Sequence, residues 1–303
     1  MSFHVRKLKT SDAEEILGVL RGAFPRFVFE RSWWDWFSAG PCRTYGLIDA
    51  AGALSGLFSL VDYPEVQAGE RRMRASLAGN LCLSPAYQRK NRGGEQSLFV
   101  TLSAAVVEHE RARGTEAILV VPNPNSAGRL QEMGWHVIDQ LVTWSRPNGG
   151  AIPGRPLRER KFPPVLDSVA DGEFDFRTQR SEEFAAWRLA RPGADYACVE
   201  WRDGGWAILK KYDDSATGAR KLHVMDFYST SPQSSRDLLG AVASCSDDRD
   251  TVDLWLPGSH PLSAIVAETG WQPIGSRPLL AWFASRKPDS SAVKFSYLDC
   301  DVY

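Results

Sequence analysis

The chain has 303 residues, 43% hydrophobic and 24% charged, with a formal net charge of −1; this is the composition of an ordinary globular protein. Near-neutral charge gives no overall field favouring nucleic acid or an anionic membrane, so any bound anion must be held by a local basic patch. The five cysteines, Cys42, Cys82, Cys198, Cys245 and Cys300, are odd in number and never spaced C-x-x-C, which argues against a disulfide framework or a zinc site and for a reducing compartment.

In chain order, the opening "MSFHVRKLKTSDAEE" is too polar for a signal peptide. No apolar run reaches the roughly 18 residues that span a bilayer, so a cytoplasmic location with no membrane partner is expected. Hydrophobic periodicity predicts a strand at 3–9, helices at 11–23 and 31–38, strands at 43–50, 55–63 and 72–83, a helix at 93–113, a strand at 116–121, a helix at 125–133 and a strand at 135–144. Thr10 or Ser11, with Glu14 near the third position, is a start signal for the first helix, and Gly114 a stop signal for the long one. The order is an antiparallel meander followed by β-α-β, so the fold class is mixed α/β.

The chain then repeats itself. "EAILVVPNPNSAGRLQEMGWHVI" (116–138) is answered by "DTVDLWLPGSHPLSAIVAETGWQPI" (250–274), and "WWDWF" (33–37) by "AAWRLAR" (185–191). The hairpin at 44–61 is answered at 195–212, and the strand at 72–84 at 219–230. A repeat of nearly half the chain length means two domains of one fold rather than a solenoid. Between them "SRPNGGAIPGRPLRERKFPP" (145–164), rich in Pro and Gly, reads as an irregular linker. The expected domains are 1–147 and 164–303, joined by 148–163.

The turn "QRKNRGG" (88–94) lies between a strand and a helix. A helix N-terminus offers unpaired N–H groups and the positive end of a dipole. Gly93 and Gly94 would let backbone approach an anion, with Gln88, Arg89, Lys90, Asn91 and Arg92 adding donors and charge, a combination suited to a pyrophosphate or equally to a solvated basic turn. It is neither a Walker A loop nor G-x-G-x-x-G. Trp34 and Trp36, two apart on a helix, point to different sides, so one is a candidate wall of a pocket and the other of the core. Asn123, Asn125 and Ser126 open a helix after an apolar strand, where Asn125 or Ser126 could equally be a cap. Glu30, Asp35, Asp62, Glu65 and His136 are the candidate bases, each also readable as solvated surface or a satisfied strand histidine.

These residues resemble the GNAT acyl-CoA N-acyltransferases, whose pyrophosphate loop is [Q/R]-x-x-G-x-[G/A] after the central strand. The match is Gln88-x-x-Asn91-x-Gly93, or Arg89-x-x-Arg92-x-Gly94; neither keeps the first glycine. "LSPAYQRK" (83–90) is similar to the stretch with which the family enters that loop. The duplicated layout, "VPNPNS" followed by "MGW", Trp34-x-Trp36 and the ending "LDCDVY" resemble a subgroup with two GNAT domains in tandem, which includes sugar N-acyltransferases. The resemblance implies an acyl-CoA co-substrate, with Leu81, Cys82 and Leu83 along pantetheine, Gln88 to Gly94 on the pyrophosphate, and Asn123 and Asn125 near the thioester. Ser126 and Asn125 thereby become catalytic candidates beside the candidate bases His136 and Glu30, and Trp34, Trp36 and Asp226 are the residues expected around the acceptor. The family's leaving-group Tyr is missing from "SAGRLQEMGW". The second half, "TSPQSSRDLLGAV" (230–242), has no glycine pair, so its domain is expected to be a degenerate copy that shapes the acceptor pocket. The expected partner is a small-molecule amine, with no nucleic acid. The alternatives are a non-catalytic module that binds CoA or a partner, and acylation of a protein or peptide.

Overall fold

A computed structural model describes residues 2–88, 97–147, 158–160, 174–179, 181–201, 205–214, 217–244, 249–288 and 292–300. The first half contains β1 (Phe3–Lys7), a 3-10 turn (Thr10–Asp12), α1 (Ala13–Ala23), α2 (Arg31–Ala39), β2 (Cys42–Asp49), β3 (Leu54–Ala68), β4 (Arg71–Leu83), α3 (Pro85–Gln88), α4 (Leu98–Ala112), β5 (Ala117–Val120), α5 (Pro124–Glu132) and β6 (His136–Pro147). The second contains β7 (Arg158–Arg160), β8 (Phe176–Gln179), α6 (Glu182–Leu189), β9 (Asp195–Glu200), β10 (Trp206–Asp213), β11 (Arg220–Tyr228), α7 (Pro232–Ser244), β12 (Thr251–Pro257), α8 (Ser263–Glu268), β13 (Gln272–Phe283), β14 (Val293–Lys294) and α9 (Tyr297–Cys300).

The fold is mixed α/β. Among the described residues the strands form one 14-stranded sheet in the order β1-β2-β3-β4-β5-β13-β6-β12-β11-β10-β9-β7, with β8 joining β3 to β14. The order reads the same from either end: β4 runs parallel to β5 as β11 runs parallel to β12, and the flanking meanders are antiparallel. The last strand of each half lies next to the other half's strand, β13 against β5 and β6 against β12. Each half therefore completes its sheet with a strand from the other. Arg158–Arg160, inside the stretch read as an irregular linker, forms the edge strand β7 against β9; these three residues lie between prolines and keep the N–H groups an edge pairing needs.

Local chemistry explains the paired features. Gly134 and Gly270 end matching helices in the left-handed region, at φ +85° and +84°, a conformation that suits glycine. The tryptophans that follow, Trp135 and Trp271, are buried and bond back to Leu130 O and Val266 O. α1 and α2 cover one face of the first half's sheet with Ile16, Leu17, Leu20, Trp33 and Phe37, all in one core with Leu57, Leu77 and Leu119. α4 covers the other face with Leu102 and Val106 against Phe58 and Ile118.

Candidate active site

The two central parallel strands separate in the first half. β4 and β5 pair from Ala75↔Ala117 to Ala78↔Val120; there β5 ends and the chain turns into α5. β4 runs on to Leu83, paired on its other side with β3 through Phe58↔Leu81, Leu57↔Cys82 and Gly56↔Leu83. Between Leu60↔Ala78 and Phe58↔Leu81 the register slips by a bulge at Gly79–Asn80, a device that re-aims backbone groups. From Gly79 to Leu83 the edge of β4 facing β5 has no strand partner among the described residues, so its peptide groups are open to a linear amide chain, as at any exposed strand edge. Gly56 permits the close pairing here: a Cβ on it would lie 2.9 Å from Cys82 O.

Asn80, at the bulge, is fully buried, and both polar atoms of its amide lack a protein hydrogen-bond partner among the described residues. A buried unpaired polar atom costs about 1–3 kcal/mol, so this side chain signals a missing partner. Strand patterning alone gives no reason to single it out.

α4 begins beside the gap. Ser97 occupies its N-cap position, yet its side chain makes no capping bond. The helix is tied in place further down, where fully buried Glu110 accepts Arg43 Nε at 2.9 Å, Arg43 Nη2 at 2.6 Å, Tyr45 Oη at 2.8 Å and Thr115 Oγ1 at 2.8 Å. Burial alone would raise the Glu110 pKa, but these donors outweigh it and hold it below the usual carboxylate range. Burial and Glu110 push Tyr45 up to about 12.

The sequence-derived candidates fall in several places. Leu81, Cys82 and Leu83 are on the open stretch of β4; burial pushes the Cys82 thiol up to about 12, so it is no thiolate. Gln88 donates to Leu83 O at 2.7 Å, closing the turn after the strand. Arg89, Lys90, Asn91, Arg92, Gly93 and Gly94 lie outside the described residues. The cap of α5 is Asn123 rather than Asn125 or Ser126: its Oδ1 accepts both of their N–H groups at 3.0 Å. Pro124 fixes this assignment, since proline favours the first helical position and an extended residue before it. Ser126 Oγ donates to Asn123 O at 3.2 Å, and Asn125 is exposed.

Glu30 is an exposed N-cap residue of α2 without a capping bond. Asp35 pairs with Arg31, Asp62 with Arg43 and Ser76, and Glu65 with Arg72. His136 is exposed at the start of β6, opposite Ala281, its ring beside Phe283. It stands two strands away from β5. Trp34 and Trp36 leave α2 on different sides and both are buried, because α2 packs on α1 and β2 and meets Trp187 of α6. Trp34 lines a groove with Lys9, Ser38 and Arg43, while Trp36 is committed to Trp187.

A second gap opens at the matching place in the other half. β11 and β12 pair only as far as Val224↔Leu254, and a bulge again follows, between Ile208 and Leu209 of β10. The result is a cavity of about 160 Å³ lined by Asp226, Ser229, Ser235, Trp255, His260 and Lys294 among others. Here the helix N-terminus is occupied by its own chain: Ser231 Oγ accepts Ser234 N–H at 3.1 Å. The two copies thus differ at the start of the helix that follows the gap, where Ser97 makes no capping bond and Ser231 makes one. Asp226 is buried against this second cavity, away from β5.

No family model matches the chain, and no curated protein matches it by sequence. Solved structures do. An N-acetyltransferase of the GCN5-related type from Kribbella flavida matches with a TM-score of 0.67 at 14% identity, over 93% of this chain and 71% of that one. The chain has the GNAT fold. A probable N-acyltransferase from Enterococcus faecalis shares that fold with a TM-score of 0.65 at 11% identity, over 93% and 73% of the two chains. The N-myristoyltransferase of Saccharomyces cerevisiae, solved with bound myristoyl-CoA, matches with a TM-score of 0.64 at 11% identity, over 95% and 80%. Within the GNAT fold of this chain no helix among the described residues is long and apolar enough to cross a membrane.

Proposed function

We propose that the protein is an acyl-CoA-dependent N-acyltransferase acting on the amine of a small molecule, with its thioester site in the gap between β4 and β5. The observation that carries this reading is the unpaired edge of β4 beyond Ala78, with its bulge and the orphaned Asn80 amide, in a chain of GNAT fold. Acyl-CoA is a substrate with a peptide-like pantetheine arm and a pyrophosphate. The arm matches the open edge at Gly79–Leu83, and Asn80 supplies an amide that awaits a partner. The pyrophosphate is assigned to the start of α4, where Ser97 makes no capping bond, together with the basic stretch of sequence Gln88–Gly94 that precedes it. On this reading the first domain is 1–147 and the second 164–303, joined by 148–163.

The amine nitrogen attacks the thioester carbonyl, the new C–N bond forms and the C–S bond breaks, leaving a thiolate. A backbone N–H at the β4 bulge receives the developing oxyanion. Ser126, at the mouth of the gap, donates a hydrogen bond to the leaving sulfur once its hydroxyl turns from Asn123 O, and the thiolate takes its proton from solvent; no role in the step is assigned to Glu30 or His136. Aligning two bound reactants supplies roughly 7–11 kcal/mol, against a factor of ~10²–10⁴ from a positioned acid or base. Solvent can therefore take the amine proton.

Thermal shift with acetyl-CoA and longer acyl-CoAs, followed by thiol release over an amine panel that includes amino sugars, tests the reading. Stabilisation together with amine-dependent thiol release is expected. Absence of stabilisation by every CoA ester overturns it. Stabilisation without thiol release supports instead a non-catalytic CoA-binding module, the reading favoured by the missing first glycine of the loop.

A further inference from the structure

The duplication allows one half of the sheet to be read against the other, rung by rung. The last rung before each gap is Leu60–Ala78–Val120 in the first half and Leu209–Val224–Leu254 in the second. One rung back, the first half has Val61–Leu77–Leu119, all completely buried in the core beneath α1 and α2. The second half has Lys210–His223–Asp253 at those positions. Two rungs further back, on the same face, Ala75 is answered by Lys221.

The face that is an apolar core in one copy is therefore a charged floor in the other. Lys210 and Asp253 are only 6% and 2% exposed. Asp253 accepts Lys221 Nζ at 2.9 Å and Ser145 Oγ at 2.6 Å. Burying charge on a sheet face is costly and seldom more stable than apolar packing, and the first copy shows that this fold does not require it.

The charged floor underlies an open groove of about 450 Å³. One wall is a column of rings: Tyr212 on His223 at 4.8 Å, His223 on Tyr297 at 4.8 Å and Tyr297 on Trp255 at 4.1 Å. At the rim the Arg277 guanidinium stands 6.0 Å from the Trp255 ring, exposed and without an ion pair among the described residues. Phe27, from the connection between α1 and α2, also lines the groove. Arg277 is three residues along β13 from Leu280, the partner of Val120 at the end of β5, a distance of about 10 Å along the strand. The groove therefore opens beside the gap to which acyl transfer is assigned.

We propose that this groove binds the acceptor, and that the acceptor is an amine that also carries an anionic oxygen group, a phosphate or a carboxylate, held at Arg277 above the lysine-bearing floor. The assignment as acceptor rests on the acyl-transfer reading; the preference for an anion rests on the groove alone and is measured by binding.

Titration calorimetry on the full chain compares two pairs of probes, glucosamine 6-phosphate against glucosamine and phenylalanine against phenylalaninamide. The anionic member of at least one pair binds about tenfold tighter than its neutral partner, the scale of one charge-assisted hydrogen bond; which pair shows the difference distinguishes phosphate from carboxylate. Arg277→Ala, at an exposed position, brings that ratio close to one. Lys210→Met, which restores an apolar residue where the first copy has Val61, reduces it as well. Equal affinities within both pairs, no binding by any of the four, or a ratio untouched by Arg277→Ala overturns the proposal. A failure of acyl-CoA to stabilise the protein would overturn the acyl-transfer reading and leave these ratios unchanged.

Discussion

Trp36 and Trp187 hold each other by a reciprocal contact. The Trp36 indole N–H donates to the carbonyl of Trp187 at 2.7 Å, and the Trp187 indole N–H donates to the carbonyl of Trp36 at 3.1 Å. Their rings stack at 4.8 Å and 6°. The residues lie 151 positions apart in the two segments that answer each other in the repeat, "WWDWF" and "AAWRLAR". A patch that meets its own counterpart with the same bonds in both directions is the geometry of a two-fold interface, here within a single chain. Together with the exchange of β6 and β13, it ties the halves into one unit.

Removing one ring should therefore weaken the whole molecule. Trp187→Ala is expected to lower unfolding stability by about 2–4 kcal/mol, near the low end for a large buried aromatic because Trp187 is partly exposed. Gly40→Ala should act through the same pair, since a Cβ there would sit 2.1 Å from Trp187 Nε1. Trp36→Phe keeps the stack and loses one bond, an expected cost of about 1 kcal/mol. Urea denaturation followed by far-UV circular dichroism checks all three, and a Trp187→Ala chain as stable as the parent would show that the pair does not join the halves.

Glu110→Gln should be more damaging than its conservative size suggests. It leaves the guanidinium of Arg43, 5% exposed, without its main counter-charge, and breaking a buried pair from one side costs about 3–5 kcal/mol. Because the Glu110 pKa is lowered in the folded state, its contribution is fully present above the unfolded value and is lost as pH falls through the folded one. The parent should therefore lose stability on acidification below the ordinary carboxylate range, and Glu110→Gln should lose less over that interval. Thermal melts at a series of pH values measure the difference; identical pH profiles would remove Glu110 from this role.

Much of this architecture is legible in the chain. Alternating and helical patterns mark the elements, and the two Gly-Trp steps mark matching helix ends because a left-handed residue and a buried ring leave plain signatures. The exchange of β6 and β13 is not legible, since either strand has the right pattern for either neighbour and only long-range packing decides. The buried ring at Trp36 follows from a partner 151 residues away, which helical spacing cannot reveal. Asn80 and the Lys210–His223–Asp253 rung become visible only when register is known: one looks like an ordinary polar residue in a strand, the others like the solvated side of a sheet.

Asn80→Ala separates stability from binding. In the free protein the substitution removes two buried unpaired polar atoms, so the chain should be no less stable than the parent despite the small cavity. If the Asn80 amide pairs with the arm of an acyl-CoA, affinity for acetyl-CoA should fall about tenfold, the scale of one or two lost hydrogen bonds. Thermal melts and calorimetry with acetyl-CoA give the two readings. Lower stability with unchanged affinity would place Asn80 in the framework and not in the site.

His260, on the wall of the second cavity, should make the second half sensitive to mild acid. Burial, with the charge of Lys294 adding to it, pulls its pKa down from 6.5 to about 3; its Nδ1 accepts the N–H of Leu262 at 3.1 Å, and its ring lies 5.0 Å from that of Phe174. A histidine whose folded pKa lies below its unfolded one binds its proton first in the unfolded chain, so stability falls as pH drops below 6.5 and goes on falling towards about 3. The slope from this one group is at most about 1.4 kcal/mol per pH unit. The lowered carboxylates, Asp12 and Glu110 among them, start from ordinary values of 3.8 and 4.5, so the interval from 6.5 down to about 5 reports mainly on histidine. His260→Asn retains an acceptor for Leu262 and removes the titration. The melting temperature of the parent should decline across that interval more steeply than that of the variant, and parallel curves would show that His260 takes up its proton without cost to the fold.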